Sequence, residues 1–211
     1  MDIARTNLFL SALILMLSLL TVSEAGASQK EMTAMTTDPA QNQIREIYLA
    51  GGCFWGVQEY FSRIPGVTET SVGYANGSTA HPDYRSVCSG RTGHAETVHV
   101  RYDPKRVSLA TLIRQFFEII DPTSVDRQGN DVGSQYRTGI YYSAPADEPE
   151  LAALMAEEQA KHTEPLAVEL MPLHSYWLAE DYHQDYLKKT RAATAISASS
   201  RSGTCLRPRK T

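Results

Sequence analysis

The chain has 211 residues, 42% of them hydrophobic, and a formal net charge of −4. That is enough for one domain with a sizeable core, and the mildly negative charge excludes a general attraction to nucleic acid or to an anionic membrane. Three cysteines with no C-x-x-C pair exclude a disulfide-built scaffold, a thioredoxin-type motif and a cysteine-rich zinc site.

The first segment reads as a targeting leader. Arg5 supplies a positive charge, Leu8 to Val22 run almost without polar interruption, and Ala25-Gly26-Ala27 gives a small-residue cleavage pattern ahead of Ser28. The apolar run is shorter than the roughly 20 residues a membrane-spanning helix needs. Residues 1–27 are therefore predicted to be a signal peptide, cleaved after Ala27, and the protein to be exported, periplasmic or secreted. An uncleaved anchor is the competing reading. Residues 28–43, polar and rich in Thr and Gln, predict a linker. The folded domain is predicted over 44–190, and a flexible tail carrying Cys205 over 191–211.

Within the domain, 46–50 predicts a strand running into Gly51-Gly52. Val57, Tyr60, Phe61 and Ile64 then recur at helical spacing until Pro65-Gly66. A second strand is predicted over 67–74, ended by Asn76-Gly77, and a long polar stretch follows over 81–93. Residues 96–102 alternate, with Val98, Val100 and Tyr102 on one face and Thr97, His99 and Arg101 on the other. Ser108 is placed to cap the clearest helix, whose apolar face is Leu109, Leu112, Ile113, Phe116, Phe117 and Ile120. A polar loop over 124–137, a strand over 139–143, a helix over 149–161, a strand over 167–171 and a short helix over 181–189 complete the domain. The order β-α-β-β-α-β-α-β-α predicts an α+β fold, with one layer of helices against a mixed or antiparallel sheet.

One cysteine stands where a reactive thiol is expected. Gly51-Gly52-Cys53-Phe54-Trp55-Gly56 joins the first strand to the first helix. Glycines there allow a tight turn, and unpaired N–H groups at a helix N-terminus favour a negative charge. A cysteine so placed has its pKa lowered from about 8.5 to roughly 3.5–7.5. Phe54 and Trp55 offer an apolar wall to a small group. A buried structural thiol is the competing reading.

Five segments, in order, resemble the A-type peptide methionine sulfoxide reductases. They are Gly52-Cys53-Phe54-Trp55-Gly56, then His81-Pro82-Asp83-Tyr84-Arg85 with Val87-Cys88-Ser89-Gly90, and Thr92-Gly93-His94-Ala95-Glu96. Gln128-Gly129-Asn130-Asp131 with Gly133-Ser134-Gln135-Tyr136-Arg137 follows, and then Ala179 to Leu187. The resemblance implies a two-layer α/β sandwich of ferredoxin-like kind, with helices on one side. It implies reduction of the S epimer of methionine sulfoxide, free or in oxidised proteins, without metal or organic cofactor, by a monomer recycled by a thioredoxin-like donor. By the same resemblance Cys53 is the nucleophile and Glu96 the acid that protonates the sulfoxide oxygen. Tyr84 and Tyr136 are the phenols that bond that oxygen, Phe54 and Trp55 hold the substrate methyl, and Asp131 lines the site.

The chemistry needs these residue types. A sulfoxide is a poor electrophile until its oxygen takes a proton, so a thiolate and an acid must meet at one S=O bond. A glutamate in water has a pKa of about 4.3, so Glu96 has to be raised by burial to serve. The first step leaves Cys53 as a sulfenic acid, which a second thiol resolves. Cys205 is the candidate by reach, since a flexible tail of that length spans about 20 Å. The sequence departs from the family here: many members carry Asn-Pro-x-Gly-Tyr-Cys-Gly after the last helix, where this chain has Lys189-Thr190-Arg191-Ala192-Ala193. Direct reduction by an external thiol is the rival route, and Cys88 reads as structural. Another thiol enzyme acting on peroxide, or a non-catalytic binding module, are the rival functions.

Overall fold

The computed structural model describes residues 43–191. The expected leader, nearly all of the linker and the tail with Cys205 lie outside them.

A six-stranded sheet organises the domain. Its strands are β1 (Arg45–Gly51), β2 (Val67–Ala75), β3 (Ala95–Tyr102), β6 (Thr138–Tyr142), β7 (Glu169–Pro172) and β8 (Tyr176–Leu178). They lie side by side in the order β7-β6-β1-β3-β2-β8. β1 pairs antiparallel with β3 and β6, and β2 pairs antiparallel with β3 and β8. β6 and β7 run parallel, so the sheet is mixed. The two-residue strands β4 (Arg127–Gln128) and β5 (Asp131–Val132) form a separate hairpin.

Alternation in the strands decides the two faces. Ile47, Leu49, Val72, Tyr74, Val98, Val100, Ile140 and Tyr142 point into one cluster. That cluster also takes the buried side chains of α1 (Phe54–Phe61), α3 (Leu109–Phe117) and α4 (Glu148–Gln159). Tyr48, Ala50, Ala75, Ala95 and Tyr141 point the other way, against Met171, Leu173 and Tyr176. One face is thus buried under helices, and the other is covered in part by the segment around β7 and β8, with Arg101 and Glu69 left exposed.

Helix α3 shows how the elements arise. Ser108 accepts a hydrogen bond from the N–H of Thr111 at 3.1 Å, satisfying one orphan donor of the first turn. Leu109, Leu112, Ile113, Phe116 and Phe117 are all buried on one side. Removing one of them, as in Leu112→Ala, costs about 2–5 kcal/mol by lost transfer energy and the cavity left behind.

Four expectations need correction. The polar stretch over 81–93 contains a short helix, α2 (Tyr84–Cys88). Asp83 caps it, accepting from Ser86 N–H, while the Ser86 hydroxyl takes the N–H of Asp83. This capping box is built from Asp and Ser, without the Glu or Gln that marks such a start in sequence. The loop over 124–137 holds the β4–β5 hairpin and a 3-10 turn, Ser134–Tyr136. Strand β8 is an addition to the expected elements: three residues are too few for a periodic signal. The last helix begins at 186 rather than 181, because 181–185 form turns.

Candidate active site

The β1–α1 turn is shaped by two glycines. A Cβ on Gly51 would stand 2.9 Å from the Phe116 ring. Gly52 has φ +81°, and a Cβ there would meet Gln128 at 2.6 Å. Only glycine allows both this backbone and this approach. Gln128 in turn is clamped by Asp121, whose N–H donates to its Oε1 and whose carbonyl accepts from its Nε2, each at 2.8 Å. The loop carrying Asp131 is thereby brought up to the turn carrying Cys53.

Cys53 is the N-cap of α1. Its thiol is pushed up to about 11. Burial is the main cause; the N–H of Trp55 pulls it down, the carboxylates of Glu96 and Asp131 push it up again, and the N–H of Gly56 pulls down least. The expected lowering by the helix N-terminus is therefore overturned. Desolvation and two nearby anions outweigh the N–H groups, and Cys53 is a thiol at neutral pH.

Glu96 lies at the start of β3, on the face that bears Val98 and Val100. It is 1% exposed. Its Oε2 accepts from the Phe54 N–H at 3.1 Å. Burial pushes its carboxyl up to about 7, against the pull of the Phe54 N–H and with a further push from Asp131. No cation of the described residues pairs with it. Helix α1 thus presents Cys53 and the Phe54 N–H together, and β3 brings the acid to both.

The phenols gather at the same place. Tyr84 opens α2, and burial first, then a bond to the Cys88 thiol and the charge of Glu96, raise its hydroxyl far above the ordinary value. Tyr136 ends the 3-10 turn; burial raises it too, followed by Glu96, Cys88, Asp131 and Cys53. Both therefore keep their protons and can donate. Cys53, Glu96, Asp131, Tyr84 and Tyr136 share one electrostatic neighbourhood.

Phe54 is buried and Trp55 half-buried, their rings 6.5 Å apart. A cleft of about 380 Å³ runs along α1 beside the sulfur, lined by Cys53, Gly56, Val57, Tyr60, Gln128 and Asp131 among others. Neither aromatic ring lines it, so the expected aromatic wall is a separate feature. Among the described residues, no three His, Cys, Asp or Glu side chains gather as a metal site would require.

The residues that hold these groups carry no signal of their own in the sequence. His183, 1% exposed, accepts from Trp55 Nε1 through its Nδ1 at 3.0 Å. Burial holds its pKa down, against the charge of Glu180, so the ring stays neutral with the proton on Nε2. Its ring lies 4.5 Å from that of Tyr84 and 5.1 Å from that of Phe54. Tyr186 stacks on Trp55 with centroids 3.9 Å apart. Asp185 N–H donates to Gln58 Oε1 at 2.8 Å and Arg191 to Glu59 Oε1 at 2.9 Å. Glu180 bonds Tyr84 and Tyr74. The Ala179–Leu187 motif points to this segment, but the partners of its Glu and His side chains come from other elements, so the pattern alone assigns them no role.

The family model described as "Peptide methionine sulfoxide reductase" matches residues 45–207. The chain belongs to that family. It is 51% identical over 146 residues to the enzymes named MsrA of Clostridium botulinum and of Mycoplasma pneumoniae, covering 69% of this chain and 93% of each relative. Among solved structures it resembles methionine sulfoxide reductase A of Corynebacterium diphtheriae, at 38% identity and a TM-score of 0.66, over 72% of this chain and 78% of that one. It also resembles reduced Mxr1 of Saccharomyces cerevisiae, at 39% identity and a TM-score of 0.68, over 73% and 88%. A further solved structure, of Mxr1 in complex with Trx2, is 28% identical with a TM-score of 0.50, over 73% of this chain and 91% of that one. As a member of this family the chain is an oxidoreductase that reduces methionine sulfoxide to methionine.

Proposed function

We propose that Cys53 attacks the sulfur of methionine (S)-sulfoxide while Glu96 gives its proton to the oxygen. The observation that carries this is the buried carboxyl of Glu96, paired with no cation among the described residues and bonded to the N–H beside Cys53. A carboxyl with a value near 7 is still protonated in about half the molecules at neutral pH, as a general acid requires. Tyr84 and Tyr136 donate to the oxygen as negative charge develops there. Phe54 and Trp55 receive the methyl group, and Asp131 lines the approach.

The thiol begins protonated, so the first step moves two protons in concert with the electron pairs. Glu96 gives its proton to the sulfoxide oxygen and takes the proton of Cys53 as the S–S bond forms; that bond and the methionine S–O bond then break as the hydroxyl passes to the Cys53 sulfur, leaving the electron pair on the methionine sulfur. The net change is thiol plus sulfoxide to sulfenic acid plus thioether: Cys53 is oxidised and the methionine sulfur reduced. A thiolate near protonated Glu96 is easier to form than one near ionised Glu96, so the acid's proton favours both parts of the step.

The sulfenic acid then condenses with a thiol, releasing water and leaving a disulfide. Cys205 is our candidate for that thiol; the family match runs past it, to residue 207. A thioredoxin-like dithiol then reduces the disulfide, a reading supported by the solved complex of Mxr1 with Trx2. Export, a monomeric state and the domain limits 28–43 and 44–190 belong to the same proposal. So does the ferredoxin-like description of the sheet, which is favoured by the antiparallel order β6-β1-β3-β2 with α1 joining β1 to β2 and α3 joining β3 to β6.

The test is incubation of the protein with separated R and S sulfoxide epimers and dithiothreitol, beside Cys53→Ser. Loss of the S epimer alone, and only with Cys53 present, is expected. Consumption of S-sulfoxide by the serine variant would overturn the proposal.

A further inference from the structure

We propose that Glu180 is a positioning residue for this reaction, fixing Tyr84 against the sheet through the two oxygens of its carboxylate. Helix α2 has only five residues, too few to hold itself by its own hydrogen bonds. Asp83 and Ser86 close its start, but the N–H of Tyr84, in the first turn, has no partner within the helix. Glu180 Oε1 takes that N–H at 2.9 Å.

The other oxygen reaches the floor of the site. Oε2 accepts from the Tyr74 hydroxyl at 2.8 Å. Tyr74 is fully buried on β2, directly across the ladder from Glu96, with its ring 6.0 Å from that of Phe54. One carboxylate therefore joins the helix bearing a phenol to the sheet position beside the acid. His183 Nε2 lies 3.9 Å from Oε2, and Tyr182 and Cys88 also feel its charge.

The carboxyl is held below the usual carboxylate value. Burial alone would raise it, but the Tyr84 N–H, its own backbone N–H and the Tyr74 hydroxyl together win. Glu180 is ionised at neutral pH, and its hydrogen bonds are charge-assisted, roughly twice as strong as neutral ones. It touches neither Cys53 nor Glu96 among its hydrogen bonds, so it acts through Tyr84. The inference rests on the reading of Tyr84 as a donor to the sulfoxide oxygen.

A double-mutant cycle separates positioning from general support of the fold. The readout is the single-turnover rate of methionine formation from a short peptide containing methionine (S)-sulfoxide, with the half-saturating peptide concentration. Glu180→Ala is expected to lower the rate on the order of 10- to 100-fold, as misplacement of a catalytic group does, with half-saturation nearly unchanged. In a Tyr84→Phe background the same change should cost little more. Glu180→Gln keeps one acceptor and should recover part of the rate; it carries the same cycle if the alanine variant does not fold. Tyr74→Phe leaves the Tyr84 N–H bond in place and should cost less than Glu180→Ala. Equal losses in both backgrounds, or no loss from Glu180 variants while Tyr84→Phe slows the reaction, would overturn the proposal alone. An unchanged rate in Tyr84→Phe would overturn the Tyr84 role and this inference with it.

Discussion

Glu96 at the start of β3 and Glu158 near the end of α4 are both buried carboxylates, yet their surroundings act in opposite directions. Glu158 is 7% exposed and receives Lys161 and His162 from the next turn. Burial would raise its carboxyl, but those two partners bring it below the ordinary value. Among the described residues Glu96 has one backbone N–H partner and no cation, and it rises to about 7. Burial is common to both regions; the missing cation is what makes one of them an acid–base group. At the end of α4 the charges close a helix, whereas at the β1–α1 turn the charge is left open beside a sulfur.

The comparison can be pressed first where the loss should be greatest. Cys53→Ser is expected to remove turnover by a factor on the order of 10³ or more, measured as methionine formed from the S-sulfoxide. Glu96→Gln should follow, slowing the chemical step about 10²–10⁴-fold, since it keeps an acceptor for the Phe54 N–H but gives no proton. Wild-type activity that needs protonated Glu96 should fall as pH rises through about 7, and the glutamine variant should lose that limb.

The same residue predicts a stability change of the opposite sense. Its folded value lies above the unfolded one, so its favourable contribution is complete below about 4.5 and disappears as pH rises through about 7. That difference corresponds to about 3 kcal/mol. Glu96→Gln should therefore melt higher than wild type at pH 8, with the gap closing at pH 4 by thermal denaturation. A glutamine variant less stable at both pH values would contradict this account of the buried charge.

Smaller effects are expected around the site. His183→Ala strands the Trp55 Nε1–H and should cost about 1–3 kcal/mol in denaturant unfolding, with weaker binding of the substrate methyl. Least of all, Glu158→Gln should leave turnover unchanged and lower stability by about 1 kcal/mol or less, because its cationic partner Lys161 is largely exposed. Its folded value is depressed, so wild type should lose this contribution as pH falls through that value, and the variant should not.

What the sequence reveals depends on how local each signal is. Helix α3 is readable because one apolar stripe and one capping serine coincide over 108–117. The Gly-Gly-Cys turn is readable because strand, glycines and helix follow one another directly. The direction of the Cys53 shift is not, since it depends on Glu96 and Asp131, which are 43 and 78 positions away in the chain and meet the sulfur only in the fold. Helix α2 escapes because five residues between proline and glycine carry no periodicity, and β8 for the same reason. Glu180 and His183 sit in a recognisable motif, yet their partners, Tyr84, Tyr74 and Trp55, come from three other elements.

The helix over 186–191 is moored to α1 by the Tyr186–Trp55 stack and by Arg191 on Glu59. The last of the described residues thus form a wall beside the turn that carries Cys53. Trimming the protein before Tyr186, or grafting a fusion partner there, should unseat the indole and slow the first reduction step even though Cys53, Glu96, Tyr84 and Tyr136 would be retained. A splice placed beyond residue 191 leaves that wall standing.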